Sequence, residues 1–405
     1  MKRLLQLLTS LAVLSVVFVS SSPVLAQDGL FHGNLPDSSN SGNSPEPYSG
    51  SPLCQPDPFP DLSSGCLPLG PAQFLSGQAS QGLILPIQPL PASSPDPSLN
   101  QMTERYLSVN TGGAIPLYAS LDAAKARTPQ SSLFASKGLK YLAITQRVDD
   151  GSGIFFELTS GDWINAADEP VACCISSGRF QGLVFHRNPP NAFGWVLSPT
   201  HVKTSPGYNS PDAGPVLNRE TIVQIFGMQA MDGTNWLHIG VDQWVDDQYV
   251  GRVTPNPVPP AGVNNGRWIE VNEGEQTLSV YENGQLQFAT LIATGAKPFY
   301  TRPGLFHIYK KLPLETMQGS FEANKSDFYY LEDVPWTMYF DEARALHGAY
   351  WRTLYGYMAS HGCVNLSPGD AHWLFNWAKE GDWVYVWDPT GQTPTDPKFY
   401  GAGGA

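Results

Sequence analysis

The sequence predicts a mainly β protein whose last domain carries one main helix. Three observations lead there. From about Glu104 to Pro255, short β-like runs are split by Gly, Pro, Asn and Asp. Further on, "RWIEVNEGEQTLSVYENGQLQFATLIATG" alternates apolar and polar residues, and its "ENGQ" turn at Glu282 to Gln285 reads as a hairpin. In that half only "SPGDAHWLFNWAKEG" carries helix signals. Ser367 can cap it, Pro368 fits the first position, Asp370 completes a capping box and Gly381 stops it. "DWVYVW" then returns to strand.

The elements follow in order. Lys2 and Arg3 precede an apolar run from Leu4 to Val19, and Val24, Leu25 and Ala26 supply a small-residue cleavage site, so residues 1–26 read as a signal peptide, with an uncleaved anchor helix as the alternative. No later run reaches the roughly 18 apolar residues of a membrane span. The expected mature product is exported and extracytoplasmic, in periplasm or cell wall, with no membrane segment after cleavage. Residues 27–100 are rich in Ser, Pro and Gly, a composition that cannot bury enough surface to fold, and read as a linker. Cys54 and Cys66 lie inside it, placed for a local disulfide in an oxidising compartment.

Residues 101–180 and 181–255 form a weak repeat. "GIFFELTSGDWINAADEP" and "TNWLHIGVDQWVDDQYVG" share an apolar strand, a turn, a Trp and a polar step. The pair resembles bacterial SH3-like modules, which implies two small β-barrels; a generic β domain without a binding role is the alternative. Cys173 and Cys174 are adjacent here, either paired under strain or simply buried. "TPNPVPPAGVNNG" marks a boundary, with 256–266 as linker, 267–388 as the last domain and 389–405 as a flexible tail. The net charge of -13 argues against nucleic acid and against adsorption to anionic lipid, both of which call for a basic face.

The chemistry concentrates in "MASHGCVNLSP", Met358 to Pro368. A thiol attacks as thiolate, and an ordinary one is only a few per cent ionised near neutrality, so Cys363 needs a base. His361 is two residues away and leaves an extended strand on the same face. His347 lies 363 − 347 = 16 residues upstream, enough for a loop to return beside the cysteine. The Gly348 carbonyl could accept the second ring N–H and fix the tautomer. Gly362 lets backbone approach a substrate closely, and the N–H groups of Gly362 and Cys363 could face an oxyanion. The bland alternatives are a buried filler cysteine and core histidines. A zinc set from His347, His361, His372 and Cys363 lacks the usual ligand spacing, so neither metal nor cofactor is expected.

"HGAYW" followed by "SHGCVNLSP" resembles the signature of the L,D-transpeptidase catalytic domain, the YkuD family, over about Arg267 to Asp388. "GAKPFYTRPGLFHI" and "DVPWTMYFDEARALHG" resemble further segments of that family. The resemblance implies a β-sandwich with a cleft. His before Cys is independently the reverse of papain-like order. It also implies Cys363 as nucleophile, His347 as base, and His361 with the Gly362 and Cys363 backbone around the oxyanion. Ser360 and Asn365 would hold the loop or meet the donor. Gly348 stands where some relatives have Ser, which matters little if only its carbonyl is used. Tyr330, Trp336, Tyr339, Tyr350 and Trp351 flank the motif and either wall the site or pack in the core. Arg344 and Arg352 bracket His347, either to meet a stem carboxylate or as idle surface groups, and "GSFEANKSDFYYLEDV" is expected as a lid. The implied reaction joins peptidoglycan stem peptides in 3→3 cross-links and releases D-Ala. Water or a protein lysine as acceptor, or a non-catalytic wall-binding protein, are the alternatives.

Overall fold

A computed structural model of the chain describes residues 70–400 apart from 110–111, 134–137, 169–170, 178–179 and 321–327. The expected signal peptide, the linker up to residue 69, the Cys54 and Cys66 pairing, the centre of the expected lid and the last five residues lie outside the described residues, as do the side chains of Cys173 and Cys174. The described chain is mainly β. Its helices are α1 (Gly70–Ser80), α2 (Leu121–Ala126) and α3 (Pro368–Trp377). None is long and apolar enough to cross a membrane.

The upstream strands are β1 (Gln101–Val109), β2 (Leu139–Asp149), β3 (Ile154–Leu158) and β4 (Val171–Ser177). Next come β5 (Leu183–Phe185), β6 (Arg267–Asn272), β7 (Thr277–Glu282), β8 (Gln285–Leu291) and β9 (Gly304–His307). The last are β10 (Lys310–Gly319), β11 (Tyr329–Asp341), β12 (Arg344–Gly348), β13 (Val364–Leu366) and β14 (Trp383–Trp387).

Two sheets face each other. One runs β5-β8-β7-β6-β14-β9, with Ala92 and Ser93 on the outer side of β5. The other runs β13-β12-β11-β2-β1-β4, with β10 also on β11 and β3 on β2. Between them Ile269, Val280 and Phe288 from the first sheet meet Met338, Leu346 and Val364 from the second, and Ala371 and Leu374 of α3 close the layer. The expected hairpin is present. Glu282 pairs with Gln285, and Asn283 and Gly284 both take positive φ (52° and 75°), as the tightest hairpin turns require.

Several expected boundaries do not coincide with the sheets. Residues 101–180 do not stand as a separate barrel, because β2 pairs parallel to β11 and extends the sheet of the last domain. Residues 181–255 are divided: β5 joins β8, whereas Ala192–Val196 sits between Ile222–Ile225 and Val250–Val253 in a three-stranded sheet. The part of the linker after residue 69 is structured, with α1 leading to a fully buried Leu83. The tail is folded as far as Tyr400. Asp388 accepts from the backbone N–H groups of Thr390 and Thr393, and the Arg344 guanidinium lies over the Tyr400 ring.

Candidate active site

Strands β12 and β13 run parallel, with Leu346 opposite Val364, His347 opposite Asn365 and Gly348 opposite Leu366. Side chains alternate along a strand, so Cys363, Asn365, Ala345 and His347 share one face. The Ala345 N–H donates to Cys363 Sγ at 3.4 Å, and Sγ lies 3.8 Å from the Ala343 carbonyl. Among the described residues Cys363 enters no disulfide, and it is 2% exposed. His347, equally buried, has its Nε2 3.0 Å from the Asn365 side-chain amide nitrogen. With that nitrogen assigned as donor, Nε2 accepts and the ring proton sits on Nδ1. Nδ1 makes no hydrogen bond of ordinary geometry, although the Gly348 backbone next to it favours the protonated ring.

Burial dominates the titration of both groups. It pulls His347 down to about 4, helped by the charge of Arg352 and opposed by the Gly348 backbone. It pushes the Cys363 thiol up to about 11, against the Ala345 N–H and the Arg344 charge, which both favour thiolate. Near pH 7 the resting pair is therefore neutral thiol and neutral imidazole. The imidazole can accept a proton, and the thiol must lose one as it reacts.

The loop before Cys363 is fixed from behind. Thr294 accepts from the backbone N–H groups of Ala359 and Ser360, and the Ala296 N–H donates to the Ser360 carbonyl. Ser360 Oγ donates to the Cys363 carbonyl at 2.5 Å and accepts from the Gly362 N–H at 3.1 Å. That N–H is thus engaged inside the loop, unlike the oxyanion role expected for it. Gly362 has φ +120°, a conformation that favours glycine, so its contribution is conformational. Thr301, fully buried, donates to the Gly362 carbonyl and accepts from the Gly295 N–H, both at 2.9 Å. Thr301 was not singled out from sequence; a lone Thr carries no signal without the fold. Beneath the loop Arg344 pairs with Asp341 at 2.9 Å, and Arg302 holds the same carboxylate.

A cavity of about 260 Å³ opens onto these groups. Cys363, His347, His361, Ser360, Asn365, Trp351 and Arg352 all line it, so the structure gathers most of the residues expected at the site. Trp351 lies 5.6 Å from the His347 ring, and His361 stacks on Tyr329 at 5.5 Å. Tyr330 is not among the lining residues. Strand alternation turns it towards the Leu107 cluster, with its hydroxyl on Glu332, and presents Tyr329 instead. Trp336 also faces elsewhere, stacked on His372 at 4.3 Å, and Tyr350 packs behind Cys363 rather than lining the cavity. Among the described residues no three His, Cys, Asp or Glu side chains gather as a metal-holding group.

Two facing sheets with a cavity over a buried thiol and a buried imidazole make a fold and site that a family of transferase domains shares. More particularly, residues 266–386 match the YkuD family, the L,D-transpeptidase catalytic domain, and that stretch of the chain is such a domain. L,D-transpeptidase 1 of Mycobacterium tuberculosis (strain ATCC 25618 / H37Rv) is 27% identical over 201 residues, covering 42% of this chain and 74% of that protein. The L,D-transpeptidase (Yku) crystal structure from Stackebrandtia nassauensis is 27% identical, covers 33% of this chain and has a TM-score of 0.26. The match spans 60% of that protein's chain. The catalytic domain of the E. faecium L,D-transpeptidase, an NMR structure, is 26% identical over 31% of this chain and all of its own, with a TM-score of 0.28.

Proposed function

We propose that the chain is an exported peptidoglycan L,D-transpeptidase that forms 3→3 cross-links through a thioester on Cys363. The observation that carries this reading is the shared face of Cys363, Asn365 and His347 on two parallel strands at the base of one cavity. In the first step Cys363 Sγ attacks the carbonyl carbon of the bond between the third residue and D-Ala of a tetrapeptide stem. His347 takes the thiol proton, the C–S bond forms, and charge gathers on the carbonyl oxygen, faced by His361 and the Cys363 backbone N–H. Collapse breaks the C–N bond, and His347 returns the proton to the departing D-Ala amine. In the second step a side-chain amine of a neighbouring stem attacks the thioester. The new C–N bond forms, C–S breaks, and the amine's proton returns through His347 to sulfur.

Asn365 aims the imidazole in the resting state and must exchange its bond to Nε2 for the reacting proton. Ser360 holds the loop, while Trp351 and Arg352 meet the donor. No resident metal or cofactor enters these steps. Incubating the full chain with disaccharide-tetrapeptide and analysing the products by mass spectrometry tests the reading. The expected product is a dimer short of one D-Ala per cross-link. Stems lacking D-Ala with no dimer would make water the acceptor and the protein an L,D-carboxypeptidase. Recovery of unchanged tetrapeptide would overturn the enzymatic reading.

A further inference from the structure

We propose that the upstream strands are part of the donor cleft, with Gly138 and Leu139 at the start of β2 forming the wall that receives an aliphatic stretch of the acyl donor. This rests on the reading of Cys363 as the acyl-accepting thiol. Both residues line the Cys363 cavity, although they precede the family-matching stretch by more than a hundred residues. Leu139 is 41% exposed, a large apolar side chain left open at the cavity rim beside Met317, Phe328 and Leu331. Apolar surface left open there is covered when an aliphatic chain binds.

The wall is fastened to the domain it serves. Leu139, Lys140 and Tyr141 pair with Tyr329, Tyr330 and Leu331, and the Leu139 N–H donates to the Phe328 carbonyl at 3.0 Å. A Cβ on Gly138 would lie 1.8 Å from that carbonyl oxygen, so only glycine allows the two backbones to meet this closely. Further along, β11 bends at Asp333, which has φ +46°. There the Tyr106 hydroxyl of β1 donates to the Asp333 carbonyl at 2.7 Å, and the Ala143 N–H of β2 donates to Glu332 Oε2 at 2.8 Å. The Tyr106 ring stacks on Tyr350, 3.5 Å apart, within the same cluster as Cys363. The cleft strand is thus held in place by residues from outside the catalytic domain.

The test uses the full chain with Leu139→Ala, Gly138→Val and, as a control at the far end of β2, Arg147→Ala. Loss of an apolar contact used equally in ground and transition states raises KM and leaves kcat alone, so Leu139→Ala should raise the donor KM roughly fivefold with kcat within about twofold. Gly138→Val should do the same and also speed hydrogen exchange at Tyr329–Leu331, while Arg147→Ala changes neither. A second arm needs no turnover: labelling of Cys363 by N-ethylmaleimide, read residue by residue, should quicken at least about threefold in Leu139→Ala as the cavity opens. Wild-type protein that forms no thioester with the donor would sink the proposed function, and the labelling arm would still decide the wall. Where the wild type does react, an unchanged KM in Leu139→Ala and Gly138→Val, or unchanged labelling in both variants, would overturn the inference.

Discussion

Raising the pH should accelerate alkylation of Cys363 by iodoacetamide about tenfold per unit, without levelling off below about pH 10. Burial moves this thiol from 9.0 to about 11. At pH 7 the thiolate fraction is then about 10⁻⁴ (11 − 7 = 4 units), against about 10⁻² for the unshifted thiol (9 − 7 = 2), a roughly hundredfold slower reaction before access is considered. His347, held near 4, is neutral over the whole range, so His347→Ala should leave the shape of the profile unchanged. Arg344→Met should move the inflection higher still, because its charge favours the thiolate. The assay is timed labelling from about pH 6 to 11, with Cys363 followed by peptide mass spectrometry. An inflection near pH 6 to 7 that vanishes in His347→Ala would mean a resting thiolate–imidazolium pair. That result would refute the neutral-pair reasoning.

His347→Ala should lower the rate of acylation by about 10²–10⁴-fold and His361→Ala by clearly less, measured as single-turnover thioester formation; the reverse order would reassign the base. A carbapenem should add once to the non-reduced protein, and the adduct should be absent from Cys363→Ala by intact mass. Asp370, buried and raised from 3.8 to about 6, favours the protonated folded state. Against Asp370→Asn, its stability contribution is therefore full below about pH 4 and lost as pH rises through 6. The expected swing is about 3 kcal/mol (6 − 3.8 = 2.2 units), read from urea denaturation at pH 4 and 7. A flat difference between the two proteins would mean the carboxyl is not shifted.

Local chemistry was legible in the sequence and long-range pairing was not. The cap of α3 is as expected: Ser367 Oγ accepts from the Asp370 N–H at 3.3 Å, and Pro368 opens the helix. The helix ends earlier than expected, at Trp377, with Ala378 already extended, and Gly381 turns the chain towards β14. What no local pattern carries is the further reach of Asp370. It also accepts from the Thr290 hydroxyl at 2.7 Å and the Gly182 N–H at 3.0 Å, tying the helix to residues far away in sequence. The pairing of β2 with β11 was hidden for the same reason. Alternation shows that a strand has two faces but does not name its neighbour, so residues 101–180 read as a free-standing barrel. At the site, spacing and residue type brought out Cys363, His347 and His361. Tyr329 rather than Tyr330 lines the cavity because the phase of β11 is set by its pairing with β2, β10 and β12, which local alternation does not reveal.

The parallel register of β12 and β13 has a consequence for how such a chain can vary. Parallel neighbours cannot be joined by a tight turn, so the crossover between them is long by necessity. Here it carries the segment from Ala349 to Gly362, anchored at its far end to Thr294. The thiol and the imidazole share one face and one cavity because Leu346 lies opposite Val364, whatever the length of chain between. Residues could be gained or lost near Thr353 and Leu354, which are exposed, without moving either reactive group. A slip of one position in the pairing would instead turn Cys363 to the opposite face and leave every atom of the site present but apart. Inheritance can therefore lengthen or shorten the connection at Thr353 and Leu354, whereas the pairing of three residues with three others admits no gradual change.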